Sequence, residues 1–313
     1  MTANAGALRL EGGCARVTPR FSIITASFNQ AVYLEETLRS VRDQGRSDVE
    51  HLVLDGGSSD GSVEVLRAHD DTIAYWRSAP DDGQSAAWNE GVQRSRGSII
   101  AFLNSDDVLQ PGALDEMARL ADAHPGAEWL IGGTRYFGDG SGDLVYPGRA
   151  PARASDVLYF GAYSPQPGQL FRRSLVERVG AFDESLHFSF DFDFFVRCAL
   201  ADARAASTER IVAGFRFHGA SKTVTQDSVQ QRETRAVESR YWGEVERREG
   251  WRARRARDLY HGRSSLGDVR SLVVDGRRRE GWARVGRVVR EYPRVVLTRA
   301  FAGTVQRLLG WRR

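Results

Sequence analysis

The 313-residue sequence has few cysteines, a single lysine and no long apolar run, and these shortages exclude several classes of protein. Cys14 and Cys198 have neither a second Cys nor a His at metal-ligand spacing, which argues against a zinc knuckle or a secreted disulfide framework. No window approaches the roughly 18 uninterrupted apolar residues of a membrane-spanning helix, and the first residues lack a signal-peptide stretch. We therefore expect a cytoplasmic protein.

Charge is divided unevenly along the chain. Residues 1–224 contain 22 Lys and Arg against 30 Asp and Glu, whereas residues 225–313 contain 22 against 11. Such asymmetry predicts an acidic body that can bind cations, followed by a basic segment that seeks an anionic surface or the acidic body itself. Lys222 is the one lysine among the 44 basic residues.

Short β-branched runs alternate with amphipathic stretches from Phe21 to about Leu109, the pattern of βαβ units and a mostly parallel sheet flanked by helices. The predicted strands are residues 21–28, 49–55, 73–76 and 98–104. From about residue 225 the pattern is helical and Arg-rich. We predict an N-terminal tail over 1–20, an α/β domain over 21–224 and a basic helical extension over 225–313.

Three of these strands end in polar segments, which are residues 25–27, 55–61 and 104–107. In open α/β sheets ligands bind beyond the carboxyl ends of the strands, so these segments should share one rim. The 55–61 loop lacks the dinucleotide and P-loop fingerprints, and it fits an anion-binding turn and an ordinary tight turn equally well. The adjacent carboxylates of Asp106 and Asp107 repel unless a hard divalent cation joins them, the alternative being an Asx-turn or helix cap.

Six segments, in this order, closely resemble the family-2 glycosyltransferases of the GT-A fold. They are SIITASFNQ (22–30), LVLDGGSSDGS (52–62), DDGQSAAWNEGVQRSRGSIIAFLNSDD (81–107), GAFDE (180–184), FDFDFFVRCAL (190–200) and FRFHGASKT (215–223). The resemblance covers about residues 20–224 and implies a GT-A domain there.

The resemblance implies an inverting glycosyltransferase of class EC 2.4. It would move a sugar from a nucleotide-diphosphate sugar, with a UDP-sugar favoured, to a hydroxyl of a glycan or a lipid-linked saccharide, as in polysaccharide biosynthesis at the cell envelope. Processive synthases of the family carry transmembrane helices and a QxxRW motif, and neither is present here. We therefore expect transfer of a single sugar.

Residue by residue, the resemblance implies nucleotide contacts for Thr25, Ser27, Asp55, Gln84 and Asp106.

Three further residues are implied at the diphosphate. Asp107 would ligate Mn²⁺ or Mg²⁺, with His218 completing the metal site, and Lys222 would meet the diphosphate. A structural histidine and an exposed turn lysine are the alternatives for the last two. Asn104 stands where many members have the first Asp of a DxD motif, which puts the number of metal ligands in doubt.

The general base of the family maps to the segment 190–197, and the resemblance favours Asp191. Phenylalanines at alternate positions give this segment a strand period, in which Asp191 and Asp193 would share a face. We predict a helix because the following VRCALADA continues at helical spacing. On a helix the two carboxylates diverge, so Asp193 would be a structural partner.

Residues 280–313 are predicted to form two basic amphipathic helices interrupted by Pro293. These helices would lie on an anionic membrane surface, or else pack on the acidic body or on a partner subunit. We expect no nucleic-acid binding, because no nucleic-acid-binding fold accompanies the arginines. Two other functions stay open at this point: a sugar nucleotidyltransferase, and an inactive scaffold that binds nucleotide sugars.

Overall fold

The computed structural model describes residues 18–139, 144–160, 165–219, 221, 227–274 and 276–309. The chain divides into two compact units, one within Met1–Ala152 and Ala162–Val237, the other within Arg153–Gly161 and Glu238–Arg313. The second unit therefore begins beyond the predicted start of the basic extension. It also takes in residues 153–161, which no sequence signal had separated from the α/β domain.

A mixed sheet forms the centre of the first unit. Its strands among the described residues are β1 (Phe21–Ser27), β2 (Val49–Asp55), β3 (Tyr75–Ser78), β4 (Ile99–Phe102), β5 (Val108–Leu109), β6 (Trp129–Gly138), β7 (Val145–Tyr146), β8 (Gln169–Arg172) and β9 (Ala205–Phe217). They lie in the order β3-β2-β1-β4-β8-β6-β9-β5, with β7 beside β6. The first four strands pair in parallel, β8 is antiparallel to β4 and β6, and β9 is parallel to β6. The predicted α/β class and the four predicted strands are confirmed.

Helices cover both faces of this sheet. They are α1 (Ala31–Arg42), α2 (Ser62–Ala68), α3 (Gln84–Arg94), α4 (Ala113–Ala123), α6 (Arg173–Val179) and α7 (Phe190–Leu200). Ile23 is buried in one cluster with Met117 of α4, and the next residue, Ile24, lies against Gly91 of α3. Successive strand side chains point to opposite faces, so α3 and α4 pack on opposite faces.

The second unit is helical and has its own core. Its elements are α5 (Ala154–Phe160), the part of α8 (Asp227–Glu249) from Glu238 onward, α9 (Trp251–Val274), α10 (Arg278–Glu291), a 3₁₀ turn (Pro293–Leu297) and α11 (Arg299–Leu308). The buried apolar cluster comprises Leu266, Val269, Val285, Val288, Val295 and Leu308. The helical prediction for 280–313, with its break at Pro293, is confirmed over the described residues, which end at 309. Much of the apolar stripe is buried inside the unit, whereas Trp282, Val296 and Leu309 are exposed. None of the helices in the described ranges is both long enough and apolar enough to cross a membrane.

A close contact at Gly91 provides a test of this packing. A Cβ at this position would lie 2.3 Å from Ile24 Cγ2 and 3.2 Å from Leu54 Cδ2. Alanine in a free helix position stabilises by about 1 kcal/mol relative to glycine, whereas overpacking costs about 1–3 kcal/mol. We expect Gly91→Ala to lower the unfolding free energy in chemical denaturation. Gly243→Ala on α8, where no atom lies within 4 Å of the added Cβ, should stabilise instead; a stabilising Gly91→Ala would contradict the packing.

Candidate active site

A cavity of about 500 Å³ opens at the carboxyl ends of β1, β2 and β4 in the first unit. Its walls come from the ends of these strands, from the start of α3, from the start of α7 and from the end of β9. Ser27, Gln84, Asp106 and Asp191 are among the lining residues. The structure thus brings four of the predicted site residues to one cavity, on the rim that the sequence predicted.

Thr25 does not line this cavity. Its side chain is buried, and its hydroxyl Oγ1 lies 2.9 Å from Nε2 of the buried His51, within hydrogen-bond distance. Burial lowers the pKa of His51 to about 3, so this imidazole stays neutral in the folded protein. The predicted nucleotide contact of Thr25 remains a prediction, and in this structure the hydroxyl serves the interior of the sheet.

Asp55 is buried as well, and its carboxylate organises the loop that follows β2. Oδ2 accepts hydrogen bonds from the backbone N–H groups of Gly57 (3.1 Å) and Ser58 (2.9 Å) and from Oγ of Ser78 (2.6 Å). Oδ1 accepts from the Ser58 hydroxyl (2.6 Å). Two loop amides therefore bind this carboxylate, and Gly56 is the residue of the loop that reaches the cavity wall.

Asp81, a residue not predicted from the sequence, lines the cavity next to Gly56. A Cβ at Gly56 would lie 3.3 Å from Asp81 Oδ1. Asp81 accepts hydrogen bonds from Gly83 N (3.0 Å) and from Nη2 of Arg77 (3.1 Å), which fix the carboxylate. The available signal was its position after β3, the one early strand whose polar end the sequence analysis left out.

Asp106 and Asp107 diverge at the end of β4. Asp106 lines the cavity, and its Oδ2 lies 3.0 Å from His218 Nε2. Asp107 is buried, where Oδ1 accepts a hydrogen bond from the Arg216 backbone N–H (2.8 Å) and Oδ2 accepts one from Asn104 Nδ2 (3.1 Å). Burial and the neighbouring Asp106 charge raise the pKa of Asp107 well above its usual range. The predicted metal ligands are Asp107 and His218, whereas in this structure the carboxylate that lies beside His218 is that of Asp106, the predicted nucleotide contact.

Asp106 and His218 are the facing side chains at this rim that offer ligand atoms to a divalent ion. The carboxylate oxygen suits Mg²⁺ and Mn²⁺, and Mg²⁺ commonly binds through one or two carboxylates together with substrate phosphates. No group of three His, Cys, Asp or Glu side chains within the described ranges is placed to hold a metal ion. The ligand role of Asp107 remains a prediction that requires this carboxylate to exchange its present hydrogen bonds.

The two carboxylates of α7 face different surroundings, as the predicted helix requires. Asp191 lies in the first turn and lines the cavity, and its Oδ1 accepts a hydrogen bond from Phe192 N (2.7 Å). Asp193 is buried and accepts a hydrogen bond from Arg197 Nε (2.7 Å). Arg197 also donates to the carbonyl oxygens of Val179 and Ala181. Asp193 therefore anchors the helix, whereas Asp191 lies in the cavity wall.

Glu233 on α8 secures the segment that leads into α7, a role with no local sequence signal. Its carboxylate accepts hydrogen bonds from the backbone N–H groups of His187 (3.0 Å), Phe188 (2.8 Å) and Ser189 (2.9 Å). Burial acts to raise the pKa of Glu233, but these three amides lower it overall. The negative charge thus lies at the amino end of α7, where the helix dipole favours it.

Gln84 donates a hydrogen bond from Nε2 to Asn104 Oδ1 (2.6 Å), which links the start of α3 to the end of β4. Lys222 lies outside the described residues. The neighbouring Ser221 lines the cavity.

Comparison with known proteins identifies the family. The profile of Glycosyl transferase family 2 matches residues 22–185. This chain belongs to that family. Membership confirms the predicted resemblance and makes the protein a transferase of class EC 2.4, so the sugar nucleotidyltransferase and the inactive scaffold are no longer favoured.

Two curated relatives illustrate the likeness. An uncharacterized glycosyltransferase of Mycobacterium tuberculosis is 34% identical over 188 residues, which are 58% of this chain and 70% of the relative. The GalNAc(5)-diNAcBac-PP-undecaprenol beta-1,3-glucosyltransferase of Campylobacter jejuni is 28% identical over 167 residues, which are 51% of this chain and 53% of that enzyme.

The fold is similar to that of solved glycosyltransferase structures. S. aureus TarS 1-349 in complex with UDP gives a TM-score of 0.63 at 14% identity, covering 93% of this chain and 89% of TarS 1-349. Its complex with UDP-GlcNAc gives a TM-score of 0.55 at 18% identity, covering 64% of this chain and 60% of the other. Against a longer TarS structure this chain covers 43% of the other chain. These likenesses confirm the predicted GT-A fold.

The buried His51 next to Thr25 predicts a specific pH dependence of stability. The unfolded chain takes up a proton near pH 6.5, whereas the folded protein holds His51 neutral down to a pKa of about 3. Unfolding free energy should therefore fall as the pH falls below 6.5, by up to about 1.4 kcal/mol per pH unit from this group.

Urea denaturation between pH 6.5 and 5 measures this slope. His51→Gln should flatten it, whereas His124→Gln, at an exposed position, is the matched control. Equal slopes for the wild type and His51→Gln would show that His51 is not the group concerned.

Proposed function

We propose that this enzyme transfers a single sugar, with inversion, from a nucleotide-diphosphate sugar to a hydroxyl of a glycan or a lipid-linked saccharide. The observation that carries the proposal is the presence of Asp191 and Asp106 in the walls of one cavity of about 500 Å³. Volume of this order suits a ligand of small-molecule size, and the cavity offers a carboxylate base at one wall and a cation-binding side chain at another.

Asp191 is the proposed general base. As the acceptor oxygen forms its bond to the anomeric carbon, the bond from that carbon to the diphosphate breaks and the electron pair leaves with the nucleoside diphosphate. The acceptor proton passes to the Asp191 carboxylate, which Glu233 and the first turn of α7 hold in position. Because the acceptor oxygen attacks the anomeric carbon from the side opposite the leaving diphosphate, this single displacement inverts the anomeric configuration.

The donor is proposed to be a UDP-sugar. Support comes from the UDP and UDP-GlcNAc complexes of TarS, whose fold this chain shares. Ser27 and Gln84 on the cavity wall, together with Asp81, are the residues that we propose meet the nucleotide, and Lys222 stays the proposed diphosphate contact. The lipid-linked acceptor draws support from the name of the Campylobacter relative and agrees with a role in cell-envelope polysaccharide biosynthesis.

Mn²⁺ or Mg²⁺ is proposed as the cofactor. When bound, such an ion stabilises the charge of the leaving diphosphate. Asp106 and His218 would hold it. Asp107 would support the same loop through its hydrogen bonds with the Arg216 backbone N–H and the Asn104 side chain.

Replacement of each of the two acidic residues of α7 by asparagine tests the assignment of the general base. Asp191→Asn keeps the shape of the side chain and removes the proton acceptor, so turnover should fall by about 10²- to 10⁴-fold while UDP affinity barely changes. Asp193→Asn is the matched control, because it weakens the ion pair with Arg197 and should lower stability more than turnover. Initial rates, calorimetry with UDP and denaturation separate these effects. Full turnover by Asp191→Asn would refute the assignment.

Contact with the cytoplasmic face of an anionic membrane is proposed for the second unit. Val296 and Leu297 are 41% and 84% exposed in the 3₁₀ turn, and the exposed Arg290 and Arg299 flank them in sequence. Apolar side chains that enter the interface and arginines that meet acidic headgroups act together in such contacts.

Liposome sedimentation tests this contact. Val296→Ser with Leu297→Ser should lower the fraction bound to anionic vesicles, with a loss of partitioning of roughly tenfold. The control is Leu144→Ser with Val145→Ser, an exposed apolar pair of the first unit, which should leave binding unchanged. Equal sedimentation of wild type and both variants would exclude the contact.

A further inference from the structure

Three buried polar atoms in the cavity wall have no hydrogen-bond partner among the described residues. They are Oγ of Ser27, Nε1 of Trp88 and Oε1 of Gln166. Their side chains are 5%, 1% and 8% exposed. Buried polar groups in folded proteins are nearly always paired, because an unpaired one destabilises the folded state. All three atoms belong to residues that line the same cavity, which makes a ligand in that cavity the candidate partner.

Trp88 and Gln166 form a pair around Phe102. The Gln166 side-chain amide Nε2 donates to the Phe102 carbonyl oxygen, and the Trp88 ring lies 4.8 Å from the Phe102 ring. Trp88 also packs against Phe190, at 5.2 Å between centroids, and Phe190 directly precedes Asp191. Trp88 therefore lies on the side of the cavity where the proposed base stands.

The chemistry of this pair is fixed by its other contacts. Gln166 Nε2 must face the Phe102 carbonyl, because two carbonyl oxygens would repel, so Oε1 is the atom left for a ligand. Trp88 Nε1 can only donate, and Gln166 Oε1 can only accept. A phosphate offers acceptors alone and would be repelled by Oε1. A sugar hydroxyl accepts one hydrogen bond while donating another, and neighbouring hydroxyls of one ring do the same.

We propose that Trp88 Nε1–H and Gln166 Oε1 form a subsite that binds sugar hydroxyls and selects the sugar handled by this enzyme. One hydroxyl accepts from the indole N–H, and the same or a neighbouring hydroxyl donates to the amide oxygen. The inference rests on the proposed glycosyl transfer and extends it to sugar recognition. The sugar belongs either to the donor or to the acceptor, and both present the same chemistry.

Variants at the two positions give the test. Trp88→Phe removes the N–H and keeps an aromatic ring. Gln166→Met keeps the length of the side chain and removes the acceptor oxygen, together with the Nε2 donor to the Phe102 carbonyl. Each should weaken sugar binding by about 3- to 10-fold, the worth of one hydrogen bond, without changing UDP affinity. Trp129→Phe is the matched control, because Trp129 Nε1 donates to Gln169 Oε1 (2.9 Å) and does not line the cavity.

Two assays distinguish the sources of the sugar. If the subsite binds the donor, calorimetry with UDP, UDP-glucose and UDP-GlcNAc should show a smaller gain of affinity from the sugar in both variants. If it binds the acceptor, donor binding should be unchanged, and transfer to methyl and nitrophenyl glycosides should fall relative to hydrolysis of the donor by water. Wild-type constants in both variants and in both assays would overturn the inference.

A signal that does not depend on turnover separates this inference from the proposed function. With ¹⁵N-labelled tryptophan, the indole resonance lost in Trp88→Phe is the signal of Trp88. It should shift when UDP-glucose, UDP-GlcNAc or a methyl glycoside is added to the wild-type protein. A wild type that binds no nucleotide sugar would refute the proposed donor, yet a shift with a glycoside would still uphold the subsite. No shift with any of these sugars would refute the subsite.

Discussion

The buried carboxylate of Asp107 holds the end of β9 against the loop after β4, and the candidate site depends on this contact. Arg216 donates its backbone N–H to Asp107 and its side-chain Nε to the carbonyl of Asp106 (2.8 Å each), while Thr37 donates to the Asp107 carbonyl from α1 (2.7 Å). His218, two residues after Arg216, is thereby brought to Asp106. The antiparallel pairing of β5 with β9 holds the same two segments, which are distant in sequence, side by side.

The burial of the Asp107 carboxylate has an energetic cost. Burial and the charge of Asp106 raise the pKa of Asp107. The ionised carboxylate is therefore less stable in the folded protein than in the unfolded chain, and its ionisation works against folding. Here the two N–H donors satisfy the oxygens, and the nearby cation site that we propose would reduce the repulsion between the carboxylates.

Local periodicity was enough to predict the parallel strands and the rim where they end. The register of α7 could be inferred from VRCALADA, because a helix must continue in one register, and this correctly separated Asp191 from Asp193. The ordered motifs identified the family. These predictions succeeded because each depends on residues close together in sequence.

Long-range contacts account for what the sequence did not reveal. Glu233 lies more than 40 residues from the amides it binds, and no local pattern marks such a partner. The buried side chain of Thr25 has its partner, His51, in the adjacent strand, and the buried side chain of Asp107 has its partner in β9. The apolar stripe of 280–313 was predicted correctly, but only the folded chain shows that α9 helps to cover it. A periodic pattern reveals that a face is apolar and says nothing about which surface covers it.

The three amides that bind Glu233 have a consequence for enzyme kinetics. Because they lower its pKa, Glu233 remains ionised below the usual pKa of a glutamic acid, and the start of α7 keeps its anchor in mild acid. The scaffold under Asp191 therefore persists at pH values where an ordinary carboxylate begins to gain its proton. A loss of activity in mild acid is therefore not expected to arise from protonation of Glu233.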